Sequence, residues 1–236
     1  MNILITGGAS GLGEAITFKF LGKPECNVFI TYSKSADRAR ELEMLYSNVR
    51  AYQCDFTAQE SVDSFCEKIK SFDIDVLVNN ALTGILQKHF HKYESQYFVD
   101  SFRMNVAPSL QITQEVLKLC RKKKHGRIIT VLTSYLMDLP PIGLSEYVAS
   151  KNYLLSMSKS WTNENRKFNI SSVCVSPSFM LTPLNADVDE RIKEKMLEEA
   201  SNKSFLKPEK VASVIYELAH GIEDINEDNV FIDPSS

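Results

Sequence analysis

No stretch of this 236-residue chain approaches the ~18 consecutive uncharged apolar residues that a bilayer span needs, so no membrane-embedded segment is expected. Cysteine is scarce and unpaired. Cys26, Cys54, Cys66, Cys120 and Cys174 are odd in number and scattered, with no spacing suited to zinc or a redox disulfide. Reduced core thiols and no metal are the expectation. A basic excess is missing too, with 27 Lys and Arg against 30 Asp and Glu and a formal net charge of -3, whereas a nucleic-acid binder usually carries a basic face. Nothing in the Gly, Pro and Ser distribution resembles an interdomain linker, and no internal repeat is present. No basic leader precedes the first strand-like run at Asn2. These absences lead to the expectation of a cytoplasmic protein with one domain over residues 1–236, long enough for a substantial core.

What is present is a regular alternation of short β-rich runs with longer amphipathic stretches, the pattern of crossover units around a parallel sheet. Strands are expected at Asn2 to Thr6, Cys26 to Tyr32, Val49 to Cys54, Ile74 to Val78, Gly126 to Thr133, Ile170 to Ser176 and Asn229 to Ile232. Six helical regions join them. The stretch around 179–205 differs in character: it follows a strand with Pro177 and Pro183, then becomes a charged helix at Asp189 to Ala200. It reads as an excursion over a ligand site.

The first strand ends in Thr6-Gly7-Gly8-Ala9-Ser10-Gly11-Leu12-Gly13, and Glu14, Ala15, Ile16 and Phe18 at once open an amphipathic helix. Glycines let a backbone approach a pyrophosphate, and a helix N-terminus offers it free amides and a positive dipole end. Further along come Asp55, Asn79-Asn80-Ala81, Asn105, Ser134 and Tyr147-Val148-Ala149-Ser150-Lys151. In this order and spacing, over nearly the whole chain, the sequence resembles the short-chain dehydrogenase/reductase family. The resemblance implies an α/β, Rossmann-type doubly wound parallel sheet of about seven strands with helices on both faces. It also implies cofactor contacts at Gly7, Ser10, Gly11, Leu12, Gly13, Asp55, Asn79, Asn80, Ala81, Pro177 and Thr182.

Tyr147 and Lys151 stand at i and i+4, so one helix face carries both. A tyrosine of pKa ~10 exchanges protons poorly near neutrality, and a neighbouring ammonium favours its phenolate. The resemblance makes Tyr147 the general acid in reduction and base in oxidation, and Lys151 the holder of the nicotinamide ribose. Ser134 takes the position that stabilises the substrate oxygen, with Thr133 as the backup hydroxyl, and Asn105 the position that supports a water relay to the lysine.

An acid that would bind the adenosine ribose hydroxyls is missing after the second strand, where Tyr32, Ser33 and Lys34 stand instead. NADP(H) is therefore favoured over NAD(H). Leu82 and Ser178 occupy positions where relatives carry glycine, and the tail after Asp233 lacks the usual paired glycines. Those two departures alone favour the alternative of a catalytically silent NAD(P)-binding regulator or scaffold. An apolar small-molecule substrate is expected from Leu82, Leu86, Leu136, Met137, Leu139, Phe179, Met180, Leu181 and Leu184. The run from Arg121 to Ile129 resembles that of 3-oxoacyl-acyl-carrier-protein reductases, which implies an acyl carrier protein as a further partner. Apolar residues on Gln96 to Leu119 (Phe98, Phe102, Val106, Leu110, Leu117) and on Tyr147 to Asn165 (Leu154, Leu155, Met157, Trp161) point to a homodimer or homotetramer.

Overall fold

Side chains alternate along the first strand, sending Ile3 and Ile5 to one face of a sheet and Leu4 to the other, and all three are fully buried. Burial on both faces marks a parallel sheet covered by helices on each side. The computed structural model, which describes residues 1–23, 25–185, 188, 190–199, 203–221 and 228–235, has that arrangement.

In chain order, β1 (Asn2–Ile5) leads to α1 (Gly11–Leu21), β2 (Asn27–Tyr32), α2 (Ala36–Leu45), β3 (Val49–Gln53), α3 (Gln59–Ile69) and β4 (Val76–Asn79). Then follow α4 (Ser95–Ser101), a π-helical stretch Phe102–Val106, α5 (Ala107–Lys123), β5 (Gly126–Val131), α6 (Ser145–Asn165) and β6 (Ile170–Pro177). The chain continues through α7 (Glu190–Glu199), α8 (Pro208–His220) and β7 (Asn229–Ile232). All strand pairs are parallel, in the spatial order β3, β2, β1, β4, β5, β6, β7.

All seven expected strands occur, with the largest differences in extent at Ile74 and Thr133. Thr133 leaves the strand where its hydroxyl accepts from the Tyr135 amide at 3.4 Å and opens a 3-10 turn, Ser134–Leu136. The expected helix from Gln96 to Leu119 is interrupted. Pro108 has no N–H to continue the α-helical ladder, and the chain relaxes into the π-helical stretch just before it, around Asn105. Of the expected helix from Asp189 to Ala200, the two end residues lie outside the described residues, and Glu190–Glu199 is helical.

Strand order positions the site. The chain runs outward from β1 to β2 and β3, then returns to lay β4 on the other side of β1. The connections that leave these two neighbours diverge, opening a crevice at the carboxyl ends of β1 and β4.

Candidate active site

The floor of the crevice is the turn after β1. Gly11 has φ 53, a left-handed backbone that favours glycine, and a Cβ on Gly13 would lie 2.0 Å from the Gly7 carbonyl oxygen. The turn closes only with glycine there. Ser10 precedes α1 without a side-chain cap, so the first helical turn is left for an anion. Residues of the expected excursion reach back to it: Thr182 Cβ and Pro183 Cδ would lie 3.6 and 3.5 Å from a Cβ on Gly11.

Threonines that the sequence reading did not single out hold this turn. Thr6 Oγ1 accepts from the amides of Asn80 at 2.9 Å and Ala81 at 3.0 Å, and donates to the Val78 carbonyl at 3.3 Å. Asn80 Nδ2 returns a bond to the Thr6 carbonyl at 2.9 Å. Thr31 Oγ1 accepts from the Gly7 amide at 3.0 Å, and Thr17 donates to the Gly8 and Gly13 carbonyls at 2.8 and 2.9 Å. Asn79 is different. Its side chain is buried and donates to Thr113 Oγ1 on α5 at 2.9 Å, so it ties β4 to α5 and turns away from the crevice.

Beyond the glycine turn, Tyr32 closes β2 and is followed by the exposed Ser33 and Lys34. Asp55 Oδ1 accepts from the Thr57 amide and hydroxyl, both at 2.9 Å. Those two bonds, helped by Ser33 and Lys34, hold its carboxyl below the usual range. Asp55 thus caps its own turn while facing the segment after β2.

On the other wall, α6 buries a stripe of Val148, Lys151, Leu154, Ser158, Trp161 and Asn165. Lys151 stands where a helix of this kind carries a hydrophobe. Two polar contacts seat α6 on β6: Ser158 meets Ser172 at 2.7 Å, and Thr162 Oγ1 both donates to the Ser172 carbonyl and accepts from its amide at 2.9 Å. Lys151 is 6% exposed, and its Nζ donates to the Val131 carbonyl at 2.9 Å and lies 5.8 Å from the Tyr147 ring centroid. Burial lowers Lys151 to about 8 and pushes the deeply set Tyr147 phenol up to about 12, the latter opposed by the Thr133 side chain. The Thr133 side chain meets the phenol, and Ser134, half-buried, opens the 3-10 turn next to it. Asn105 is engaged through its side chain: Oδ1 accepts from Thr83 N at 2.9 Å and Thr83 Oγ1 at 2.7 Å, and Nδ2 donates to Ser101 at 3.3 Å. Thr83 carried no sequence signal.

Of the expected apolar lining, Phe179 packs on Phe205 at 5.1 Å and Met180 joins the core, so both are structural. Leu86, Met137, Leu139, Leu181 and Leu184 are exposed. Pro177 is buried at the end of β6, and Leu82 is half-buried. The Ser178 amide donates to the Ile232 carbonyl at 2.8 Å, tying the loop to β7. The basic run lies at the amino end of the strands, before β5 rather than after it. Lys123 is held by Asp73 and Asp75, Arg121 stacks on Phe168, and Arg127 donates to the Leu218 carbonyl. Among the described residues no helix is long and apolar enough to cross a membrane, and no group of three metal-ligating side chains occurs.

Comparison with known proteins agrees with this geometry. The family model described as short chain dehydrogenase matches residues 1–193. A 3-oxoacyl-[acyl-carrier-protein] reductase FabG of Thermotoga maritima is 32% identical over 221 residues, covering 92% of this chain and 89% of that protein. The 17-beta-hydroxysteroid dehydrogenase type 3 of Rattus norvegicus is 31% identical over 189 residues, covering 77% of this chain and 60% of that protein. A solved structure of a short chain dehydrogenase/reductase family protein shares the fold, with TM-score 0.85 over 99% of this chain and 95% of its own at 24% identity.

The joint at Thr6 is open to measurement. Thr6→Val removes the acceptor from two backbone amides and should cost about 1–3 kcal/mol in urea unfolding, while Thr6→Ser, which keeps the oxygen, should cost less. A Thr6→Val variant no less stable than Thr6→Ser would show that the hydroxyl does not do the holding.

Proposed function

The chain belongs to the short-chain dehydrogenase family, and from that membership we propose that it is an NADP(H)-dependent carbonyl reductase acting through Tyr147, Lys151 and Ser134, with a 3-oxoacyl thioester as substrate. It is an oxidoreductase of carbonyl and alcohol groups. The observation that carries the residue-level reading is the buried Lys151, a basic group placed on the core-facing stripe of α6 beside Tyr147.

The residues fit a dinucleotide. The free first turn of α1, the close passage of Gly13 over Gly7 and the approach of Thr182 to Gly11 suit a pyrophosphate. Tyr32, Ser33 and Lys34 stand where NAD(H) binders carry an acid, and favour the phosphorylated form. The cofactor, when bound, supplies or accepts the hydride. The protein handles the proton. Tyr147 donates it to the substrate oxygen, and Ser134 and Thr133 offer hydroxyls to the charge that develops there. Lys151 stabilises the phenolate left behind, a role it fills only while cationic.

The thioester part of the proposal rests on likeness to reductases of 3-oxoacyl-[acyl-carrier-protein], with the exposed Met137, Leu139 and Leu181 suited to an acyl chain. The basic run supplies little for carrier docking, because several of its cations are already engaged. A panel of ketones, keto sugars and 3-oxoacyl thioesters, followed by NADPH oxidation, tests the substrate class. No turnover of any thioester would overturn it.

Pairing through α4, the π-helical stretch and α6 is proposed on Phe102, which the sequence suggested, together with Val99 and Tyr153, which it did not. Val106, Leu154 and Trp161 are core, whereas Val99, Phe102 and Tyr153 are exposed, the last two in edge contact at 5.2 Å. A self-complementary two-fold contact would cover them. Light scattering should report at least twice the 26.7 kDa chain mass, and a monomer at micromolar concentration would refute the pairing.

Tyr147→Phe should lower kcat by more than about 100-fold with NADPH binding nearly intact, because the ring stays and the proton goes. Parent-like turnover would remove Tyr147 from the mechanism. The pH dependence has a definite sign. Tyr147, raised to about 12, stays protonated from pH 7 to 9.5, whereas Lys151, lowered to about 8, loses its charge in that range. Ketone reduction should therefore fall above pH 8, approaching about tenfold per pH unit, and a flat profile would exclude the lysine's charge from the rate.

A further inference from the structure

Between β4 and α4 the chain forms a strap over residues 83–93, held at both ends. At its start Thr83 is fixed on Asn105, and at its end the Tyr93 hydroxyl turns back to the Leu86 carbonyl at 2.8 Å. Opposite lies the loop 137–143, which joins the turn at Ser134 to the helix that carries Tyr147. No residue of that loop is buried, so the core does not fix its path. The strap does. Among the described residues, the hydrogen bonds of the loop beyond its adjoining turns all come from the strap. Gln87 Nε2 donates to the Ile142 carbonyl at 3.1 Å, the Lys88 amide to the Gly143 carbonyl at 3.0 Å, and the Tyr93 hydroxyl to that same carbonyl at 3.2 Å.

The contact at Gly143 is too close to admit a side chain. Gly143 has φ 87, and a Cβ there would lie 2.9 Å from Gln87 Cγ and 3.1 Å from the Lys88 amide nitrogen. Tyr93 is itself well placed to hold the strap, because its ring stacks on Tyr97 at 4.9 Å and meets Phe98 at 5.3 Å, both on α4. Strap, loop and α4 are thus joined at one point. That point lies just before α6, which begins at Ser145 and carries Tyr147 in its first turn. What places Gly143 therefore places the start of the helix that presents the phenol.

We propose that Tyr93 is a positioning residue for the reduction: by tying the strap to the Gly143 carbonyl it sets the first turn of α6, and with it the Tyr147 phenol. This rests on Tyr147 as the proton donor. A displacement of about 1 Å at a reacting group costs about a hundredfold in rate, so a tie that holds the turn to a fraction of that distance is worth several-fold. The effect is confined to the first turn. Further along α6, Lys151 is held by the Val131 carbonyl, and Ser158 and Thr162 seat the helix on β6. A tie that served only the stability of the two loops makes a different forecast, because its loss would lower the melting temperature and leave the turnover of folded protein unchanged.

Tyr93→Phe keeps the ring and its packing on α4 and removes only the hydroxyl. With the fastest substrate of the ketone and thioester panel, kcat should fall about fivefold or more, while KM and the NADPH dissociation constant stay within about twofold. Unchanged kcat, with or without a lower melting temperature, would make Tyr93 a structural tie and overturn the proposal. So would a fall in kcat matched by an equal weakening of NADPH. In a Tyr147→Phe background the same substitution should leave the residual turnover within about twofold, because no phenol proton remains to be misplaced. A further fivefold loss in that background would overturn the proposal. If Tyr93→Phe does not fold, Gln87→Ala loosens the same strap at Ile142 and should lower kcat at constant NADPH affinity, an unchanged kcat again counting against the idea. Parent-like turnover in Tyr147→Phe with Tyr93 intact would refute the proton-donor reading, and this proposal with it. A parent-like kcat in Tyr93→Phe alone leaves that reading standing.

Discussion

The hydroxyl of Thr6 is the joint on which the site depends. It is fully buried, accepts from two backbone amides of the turn after β4 and donates to the last part of β4 itself. In a parallel sheet the ends of neighbouring strands have no hairpin to hold them, and here the chain departs from β1 and β4 in different directions. Thr6 with Asn80 closes the gap from below, so the glycine turn above it keeps its shape without filling the crevice. The result is a rigid floor with an uncapped helix end, which is what an anionic ligand requires and what an unliganded core would avoid.

A second constraint is electrostatic. An ammonium taken out of water is costly unless it is paired, and Lys151 has a backbone carbonyl and the Tyr147 ring beside it and no carboxylate partner among the described residues. Its proton is therefore weakly held, just as the buried Tyr147 phenol holds its proton tightly. Burial moves the two values apart, the phenol up to about 12 and the lysine down to about 8, because it disfavours the charged form of each. Such an arrangement weakens the core that contains it, and α6 is secured elsewhere by the Ser158, Thr162 and Ser172 contacts on β6. Stability and chemistry are divided along one helix.

Much of this was legible in the chain itself. Apolar periodicity located all seven strands, because a strand buried on both faces has little freedom in composition. The glycine turn was legible because only glycine tolerates the left-handed φ and the close approach at Gly11 and Gly13. The parts that could not be read were hydroxyl contacts. Thr6 and Thr83 look alike in sequence, and only the packing of distant segments shows that one holds a turn and one occupies Asn105, while Thr133, expected only as a backup to Ser134, is set beside the phenol. Val106, Leu154 and Trp161 were read as surplus apolar surface for the same reason: helical spacing marks a stripe without saying which stripe is covered.

The sequence by itself determined the element order, the parallel sheet and the placing of a tyrosine and a lysine on one helix face, since these follow from local periodicity and the steric demands of glycine. Only the tertiary structure decided what each polar side chain meets. It turned Asn79 into α5, set Thr133 against the phenol, consumed Lys123, Arg121 and Arg127 in contacts of their own, and brought Arg38 to Glu14 from 24 residues away. The reason is physical: the backbone pattern is set by neighbours a few residues apart, whereas a hydrogen bond or an ion pair depends on the distance between groups that only the completed fold brings together.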